Sequence, residues 1–367
     1  MQQLAGREQA IDAYGLSNNN SYIRSSLPAD LSVVNRSEIP ISSLIPPANR
    51  LAIDALGVDD LLLDRPLGVR MYALRPAWFG STAAAFSVFL LSSGALAADT
   101  KSAEDYFRQG VEFMGAGKLD DATVAFQNCA QFKPDMKECW FNLGVAYGRR
   151  RDFANEAKAY QKAVELDPKY ARAHFNLGVT FEDLGRSADA LKEYDFAIQF
   201  EPNVQDVHLN RAALLLSLER LDEAIAGFER AIAVQPDNPE TYYDLAGAVQ
   251  LKGLKQEEPQ RTQWLRRSIS HYQQCLQRDA KHFRAQYNIG VVQHKLKDLD
   301  AEIAAYRKAV ELKPNYTAAL YNLAFALRDK AQRVEAKVAF QAYLAAAGKE
   351  KNEQKFVELA KRELTKL

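Results

Sequence analysis

Five prolines keep time along most of this chain: Pro134, Pro168, Pro202 and Pro236 stand 34 residues apart, and Pro314 rejoins the series after one longer interval. A fixed period of that length means that one small unit is copied and stacked, because a unit so short cannot bury a core alone. Each proline follows an apolar-periodic stretch such as Ala163-Val164-Glu165-Leu166-Asp167-Pro168. There it ends one helix and presets the turn into the next.

With the proline numbered as the thirty-second position, each unit divides into two helices, A and B. Helix A carries large residues at positions four, seven and eleven and a small one at eight: Trp140, Leu143, Tyr147 and Gly144, then His174, Leu177, Phe181 and Gly178. Spacings of three, four and seven put these residues on one helical face. Position eight stays small throughout, as Gly110, Gly144, Gly178, Ala212, Ala246, Gly290 and Ala324, which lets helix B approach closely. Helix B answers with small, aromatic, small at positions twenty, twenty-four and twenty-seven, as in Ala190, Tyr194 and Ala197.

Trp140, Leu143, Gly144, Tyr147, Tyr160, Ala163 and Pro168 match the signature of the tetratricopeptide repeat residue for residue, and the chain resembles that family over 103–350. The resemblance implies an all-α fold: a right-handed α-solenoid, or superhelix, of seven antiparallel helix pairs. The fifth unit is enlarged by an insertion at 252–267, and a capping helix at 351–367 carries Phe356, Leu359, Ala360, Leu364 and Leu367 on one stripe. Glu156 and Glu302 depart from the pattern at position twenty, which predicts a slight rotation of helix B in those units. The family likeness further implies a non-catalytic scaffold or adaptor that binds a partner polypeptide in its concave groove. The alternative is a targeting or regulatory subunit of a separate enzyme, such as a glycosyltransferase or a peptidoglycan enzyme.

In the family, a second stripe of helix A lines the groove. Its fifth position carries Phe107, Phe141, Phe175, Leu209, Tyr243, Tyr287 and Tyr321, and its ninth Val111, Val145, Val179, Ala213, Gly247, Val291 and Phe325. At the sixth stand Asn142, Asn176, Asn210, Asp244, Asn288 and Asn322. A carboxamide offers one acceptor group and two donors, matching a peptide group whatever its side chain. The series is similar to the asparagine ladder of superhelical repeats such as those of O-GlcNAc transferases. The competing reading is that these asparagines only order neighbouring helices. Asp244 breaks the ladder and, when ionised, favours an N–H or a basic side chain. The Lys and Asn clamp by which other members of the family grip acidic chaperone tails is missing, since Phe or Tyr and mostly Val stand at its positions. In the insertion, Pro259 suits the first turn of a prolonged helix B. Trp264, Arg266 and Arg267 have the composition of a partner contact, against the simpler reading that Trp264 packs on a neighbouring unit.

Other chemistry finds little footing. Lys plus Arg and Asp plus Glu each total 47, so no long-range field draws nucleic acid. Cys129, Cys139 and Cys275 are too few for a structural zinc site, and no cofactor or metal is expected. Cys129 and Cys139 flank one inter-unit turn; the sequence leaves open whether they pair. His174 and His208 fall on the packing position of helix A, and His271, His282 and His294 show no metal spacing.

Ahead of the repeats, residues 1–70 are rich in Ser, Asn and Pro and are expected to lack a stable fold; only 51–63 carries a short amphipathic pattern. From Met71 a basic start, an apolar run and small residues at Ala95 and Ala97 read as a signal peptide at 71–97, cleaved before Ala98. That reading places the true start at Met71 and the repeats in the periplasm or envelope. The alternative keeps the segment as a membrane anchor with the repeats outside the cytoplasm.

Overall fold

The computed structural model describes residues 101–348 and 354–367. The extension at 1–70, its 51–63 segment and the leader at 71–97 lie outside the described residues, as does the start of the cap at 351–353. The described residues form fifteen α-helices and no strand. In chain order they are α1 Ala103–Gly115, α2 Leu119–Phe132, α3 Lys137–Arg149, α4 Phe153–Leu166, α5 Ala171–Asp183, α6 Ser187–Phe200, α7 Gln205–Ser217 and α8 Leu221–Val234. They continue with α9 Pro239–Leu254, α10 Gln260–Arg278, α11 Phe283–Lys295, α12 Leu299–Leu312, α13 Thr317–Asp329, α14 Arg333–Ala347 and α15 Gln354–Leu364. Consecutive helices pack as A and B partners, and each pair meets only its neighbours, which is the packing of an α-solenoid. No helix among the described residues is long and apolar enough to cross a membrane.

The close approach expected at position eight is made by the ring at position twenty-four. A methyl group added to Gly110, Gly144, Gly178 or Gly290 would lie 2.5–2.7 Å from the ring of Phe126, Tyr160, Tyr194 or Tyr306 respectively. Where position eight is Ala212, the small residue moves to helix B: a Cβ on Gly227 would stand 2.8 Å from the Cβ of Ala212. Glu156 and Glu302 do not rotate helix B. The rings of Tyr160 and Tyr306 sit over Gly144 and Gly290 as in other units, and both glutamates are buried. Glu302 takes His294 of the paired helix as its partner, with Nδ1 and Oε2 3.2 Å apart. A polar contact across the pair thus replaces the usual small side chain.

Turns repeat as faithfully as helices. Gly117, Arg151, Gly185, Glu219, Lys297 and Ala331 occupy the same place after helix A, with φ between 60° and 72°. The next N–H folds back onto the helix, as when Asp152 donates to the Tyr147 carbonyl at 3.0 Å. Four of these residues carry a Cβ, at a cost of about 1–2 kcal/mol each, so tertiary packing imposes the turn. In five of the seven B helices the C-cap is the residue directly before a timing proline, namely Lys133, Asp167, Glu201, Gln235 and Lys313. The proline carbonyls are then used. Trp140 Nε1 and Tyr242 Oη donate to Pro134 and Pro236 at 2.9 and 3.0 Å, and the Nε2 atoms of His174 and His208 meet Pro168 and Pro202 at 3.0 and 2.7 Å. Position four is therefore a packing residue with a polar tip that ties helix A to the preceding turn.

The fifth unit absorbs its insertion by lengthening both helices. α9 has 16 residues and α10 has 19, against 13 and 14 in the unit before it. Pro259 stands at the N-cap of α10, one residue outside the first turn. At the C-terminal end, α15 lays Phe356, Leu359 and Ala360 on the core around Tyr321 and Phe325, and Arg328 of α13 bonds Glu363 at 2.9 Å. It covers the last unit as a further helix A would. At the other end, a disulfide joins Cys129 of α2 to Cys139 of α3, cross-linking the first two units. Closing a short loop of this kind stabilises a chain by about 2–4 kcal/mol. Cys275 is a buried free thiol whose pKa burial pushes up to about 12.

Candidate functional site

The face of helix A that turns away from helix B divides into a closed half and an open half. In the last three units the fifth-position rings Tyr243, Tyr287 and Tyr321 are buried, and so are Val291 and Phe325 at the ninth. His282 and Arg284 cover Tyr243 at 4.9 and 5.2 Å, Tyr316 covers Tyr287 at 5.3 Å, and Phe356 of the cap covers Tyr321 at 5.6 Å. In the first four units Phe107, Phe175 and Leu209 remain half-buried, as do Val111, Val145, Val179 and Ala213. Phe141 is the exception, buried against Tyr160 and Tyr170.

The sixth-position series mostly looks inward. Asn176 Nδ2 donates to the Tyr160 hydroxyl of the preceding unit at 3.3 Å, and Asn288 Nδ2 lies 3.1 and 3.2 Å from the hydroxyls of Tyr243 and Tyr272. Asn322 Nδ2 donates to Tyr287 at 3.0 Å, whereas Asn142 bonds the Glu138 carbonyl of its own helix at 2.8 Å. Asn210, Asn288 and Asn322 are only 3%, 3% and 0% exposed. The expected open ladder is thus corrected at Asn210, Asn288, Asn322, Phe141, Tyr243, Tyr287 and Tyr321. Burial removes these side chains from an open face, and most of the amide donors bond across the junction between units. Phe175, Asn142 and Asn176 keep partial exposure. The signal for this inward bonding was present in the sequence, in the tyrosines at positions five and twenty-four one unit earlier.

For Trp264 the structure agrees with the packing alternative. This side chain packs against the core of the central units, its ring under Lys252 Nζ at 4.1 Å and beside Arg267 at 5.2 Å. Arg267 in turn bonds Glu229 at 2.7 Å, and Arg266 is exposed. The insertion stabilises its own unit and presents no protruding aromatic.

Among the ionisable groups that depart from their ordinary behaviour are His174 and Asp244. Burial works against charge on His174, but the Glu193 carboxylate at 2.7 Å and the Pro168 carbonyl outweigh it and raise the imidazole pKa. Each ring nitrogen meets an acceptor, an arrangement that the doubly protonated ring fits best. Asp244 lies one turn after Glu240 on α9. Burial, reinforced by the Glu240 charge, pushes its carboxyl up to about 8, against the opposing pull of Arg284. Glu240 stays ionised: burial raises its pKa, but His282 at 3.0 Å and Arg284 at 3.3 Å more than compensate.

The comparisons with known proteins agree with this register. A tetratricopeptide-repeat profile matches residues 137–170 and 283–316, the second and sixth units from first residue to last, and a second TPR profile matches 157–185 and 214–253. The matched stretches are tetratricopeptide repeats. Among solved structures, the TPR protein YrrB, described as having an unusual peptide-binding site, is 19% identical. That match covers 54% of this chain and 97% of YrrB, with a TM-score of 0.47. PilF of Pseudomonas aeruginosa is 16% identical over 59% of this chain and 94% of its own, with a TM-score of 0.47. A tetratricopeptide-repeat protein of Parabacteroides merdae is 13% identical over 70% and 98%, with a TM-score of 0.49. No curated protein matches the chain.

The folded pKa of Asp244 lies above its ordinary value of 3.8, so the native chain keeps a proton that the unfolded chain has released. Stability from this group is complete below about pH 4, falls as pH rises toward about 8 and is level beyond it. Asp244→Asn removes the dependence. Thermal melts of both proteins should coincide near pH 4 and separate progressively, with the variant several degrees more stable at pH 8; parallel profiles would contradict the assigned burial.

Proposed function

We propose that this chain is a non-catalytic scaffold that holds a segment of a partner polypeptide along the inner face of its first four units. Tetratricopeptide-repeat proteins are generally protein-interaction scaffolds, and no catalytic family is matched. The observation that carries the reading is the asymmetry of the stripe. Phe107, Val111, Val145, Phe175, Val179, Leu209 and Ala213 keep open surface in register, while the corresponding side chains of the last three units are mostly covered by the protein itself. A row of half-open apolar side chains at the step of the repeat suits an extended chain, whose apolar side chains settle between successive helices. The insertion plays no part in this contact, since Trp264 is taken up by its own unit.

Replacing Phe175 or Leu209 by p-benzoylphenylalanine and irradiating cells should yield cross-links to another polypeptide. The same photoreactive group at Val338, exposed on helix B of the last unit, should yield few. Cross-links confined to position 338 would contradict the proposed face.

The scaffold is proposed to work outside the cytoplasm. The signal-like segment at 71–97 supports export, and so does the Cys129–Cys139 bridge, since disulfides persist in oxidising compartments. Acid-quenched, denatured cells treated with a thiol-reactive mass tag should give chains that carry one tag, on Cys275. Three tags on the native protein, together with recovery in the cytosol, would contradict export.

A further inference from the structure

The outer face of the B helices in units two, three and four is not electrically balanced. Every carboxylate of α4, α6 and α8 that reaches solvent has a partner. Glu165, Asp189 and Glu223 pair with a Lys or Arg three residues earlier. Glu193, Asp195, Asp222 and Glu229 pair with His174, Arg211, Lys252 and Arg267 of other helices. The exposed cations Lys158, Lys192 and Arg230 make no ion pair or hydrogen bond among the described residues. They surround an aromatic ring. Positions twenty-two and twenty-six lie one turn apart on one side of helix B. They carry Lys158 and Lys162 in unit two, Lys192 and Phe196 in unit three, and Ala226 and Arg230 in unit four. Phe196 is 44% exposed, with Lys192 one turn before it and Lys162 and Arg230 at its own position on the two neighbouring units. B helices of successive units lie within side-chain reach, since Arg267 of α10 bonds Glu229 of α8 at 2.7 Å and Arg307 of α12 bonds Glu335 of α14 at 3.0 Å.

We propose that this outer face of α4, α6 and α8 is a second docking surface, and that it takes an acidic polypeptide segment with one aromatic or leucine side chain. That side chain settles on Phe196, and the acidic residues on either side of it meet Lys158, Lys192 and Arg230. The surface lies on helix B and so stands apart from the inner stripe of helix A. A chain with both faces joins two partners, which is what an adaptor requires.

Charge decides the class of partner. The carboxylates of this face are already neutralised by their own partners, so the charge left to complement is positive, and only an anionic segment lowers its energy. The aromatic supplies the anchor, because an exposed ring that a partner can cover is the usual centre of such a contact. It is also held in place. The Phe196 ring lies 5.2 Å from the ring of His174, with Phe200 5.9 Å from the same imidazole, and His174 is fixed by Glu193 at 2.7 Å and the Pro168 carbonyl at 3.0 Å. At the same position other units carry Asn128, Gln274, Lys308 and Ala342, so no other unit offers a ring there. The sixth unit shows the contrast in charge as well, since Arg307 and Lys308 are paired with Glu335 and Glu311. An anionic bilayer fits this face less well than a polypeptide. Insertion needs a side chain that projects, whereas Phe196 lies against its own unit with more than half of its surface covered.

The test uses the full chain and a triple variant, Lys158→Glu with Lys192→Glu and Arg230→Glu, whose three sites are exposed and without partners among the described residues. Phage-displayed random dodecapeptides are panned on the wild type and counter-selected on the triple variant. Peptides kept only by the wild type should carry several Asp or Glu residues around one aromatic or leucine residue. Synthetic copies should bind Phe196→Ala about ten-fold or more weakly and should lose affinity several-fold as salt rises from about 50 to 500 mM. No peptide that separates the wild type from the triple variant, or separating peptides without acidic residues, would overturn the proposal. So would equal binding to a Phe196→Ala chain whose thermal melt matches the wild type; if that variant is unfolded, the triple variant alone decides. Wild type and triple variant should also sediment equally with vesicles of phosphatidylserine and phosphatidylcholine. Sedimentation abolished by the three reversals would overturn the polypeptide in favour of an anionic lipid surface.

Discussion

Everything in this molecule depends on how near two helices of a pair come to each other. The rings of Phe126, Tyr160, Tyr194 and Tyr306 lie where a side chain at position eight would otherwise be, so the distance within a pair is set by a missing methyl group. Packing of that density tolerates little change in volume. The left-handed residue after six of the seven A helices, and in units two to five the tie from position four to the preceding proline carbonyl, repeat the same geometry at the ends of the pairs. With those three devices in place, each unit offers the same second stripe to the same neighbour.

What the stripe does then depends on hydroxyl groups. Where the preceding unit supplies a tyrosine, as Tyr160, Tyr243, Tyr272 and Tyr287 do, the following asparagine turns to it and the junction is completed within the chain. Where it supplies leucine and phenylalanine, as Leu209 and Phe228 before Asp244, no hydroxyl is offered to position six. The two ends also differ in what covers them. The last unit is sealed by α15, while the first two are joined by the Cys129–Cys139 bridge and, Phe141 apart, keep their inner apolar side chains half open. Closed and open halves are consequences of the same repeat, read with different residues at positions five and twenty-four.

Most of the architecture was legible from the order of residues alone. The proline interval located the turns, the small residue at position eight located the helix contact, and the apolar stripe at 351–367 located the cap. Each is a local pattern with a single packing solution in a stacked array. The direction in which a side chain at position six points was not legible in the same way, because the amide of Asn322 gains as much from a ligand as from Tyr287. Only the distance to the hydroxyl across the junction decides it. The sequence left Trp264 open for a related reason: a lengthened helix and a tryptophan look alike whether the ring projects or lies between Lys252 and Arg267. The buried pair of Glu302 and His294 likewise required the two helices to be seen together.

The asparagine series serves the junctions between units. A double-mutant cycle of Asn322→Ala and Tyr287→Phe, followed by denaturant unfolding of the full chain, measures that claim as a coupling energy. A bond of this type across a buried junction should appear as a coupling of about 0.5–1.5 kcal/mol. Strictly additive losses, with the two substitutions ignoring each other, would contradict it.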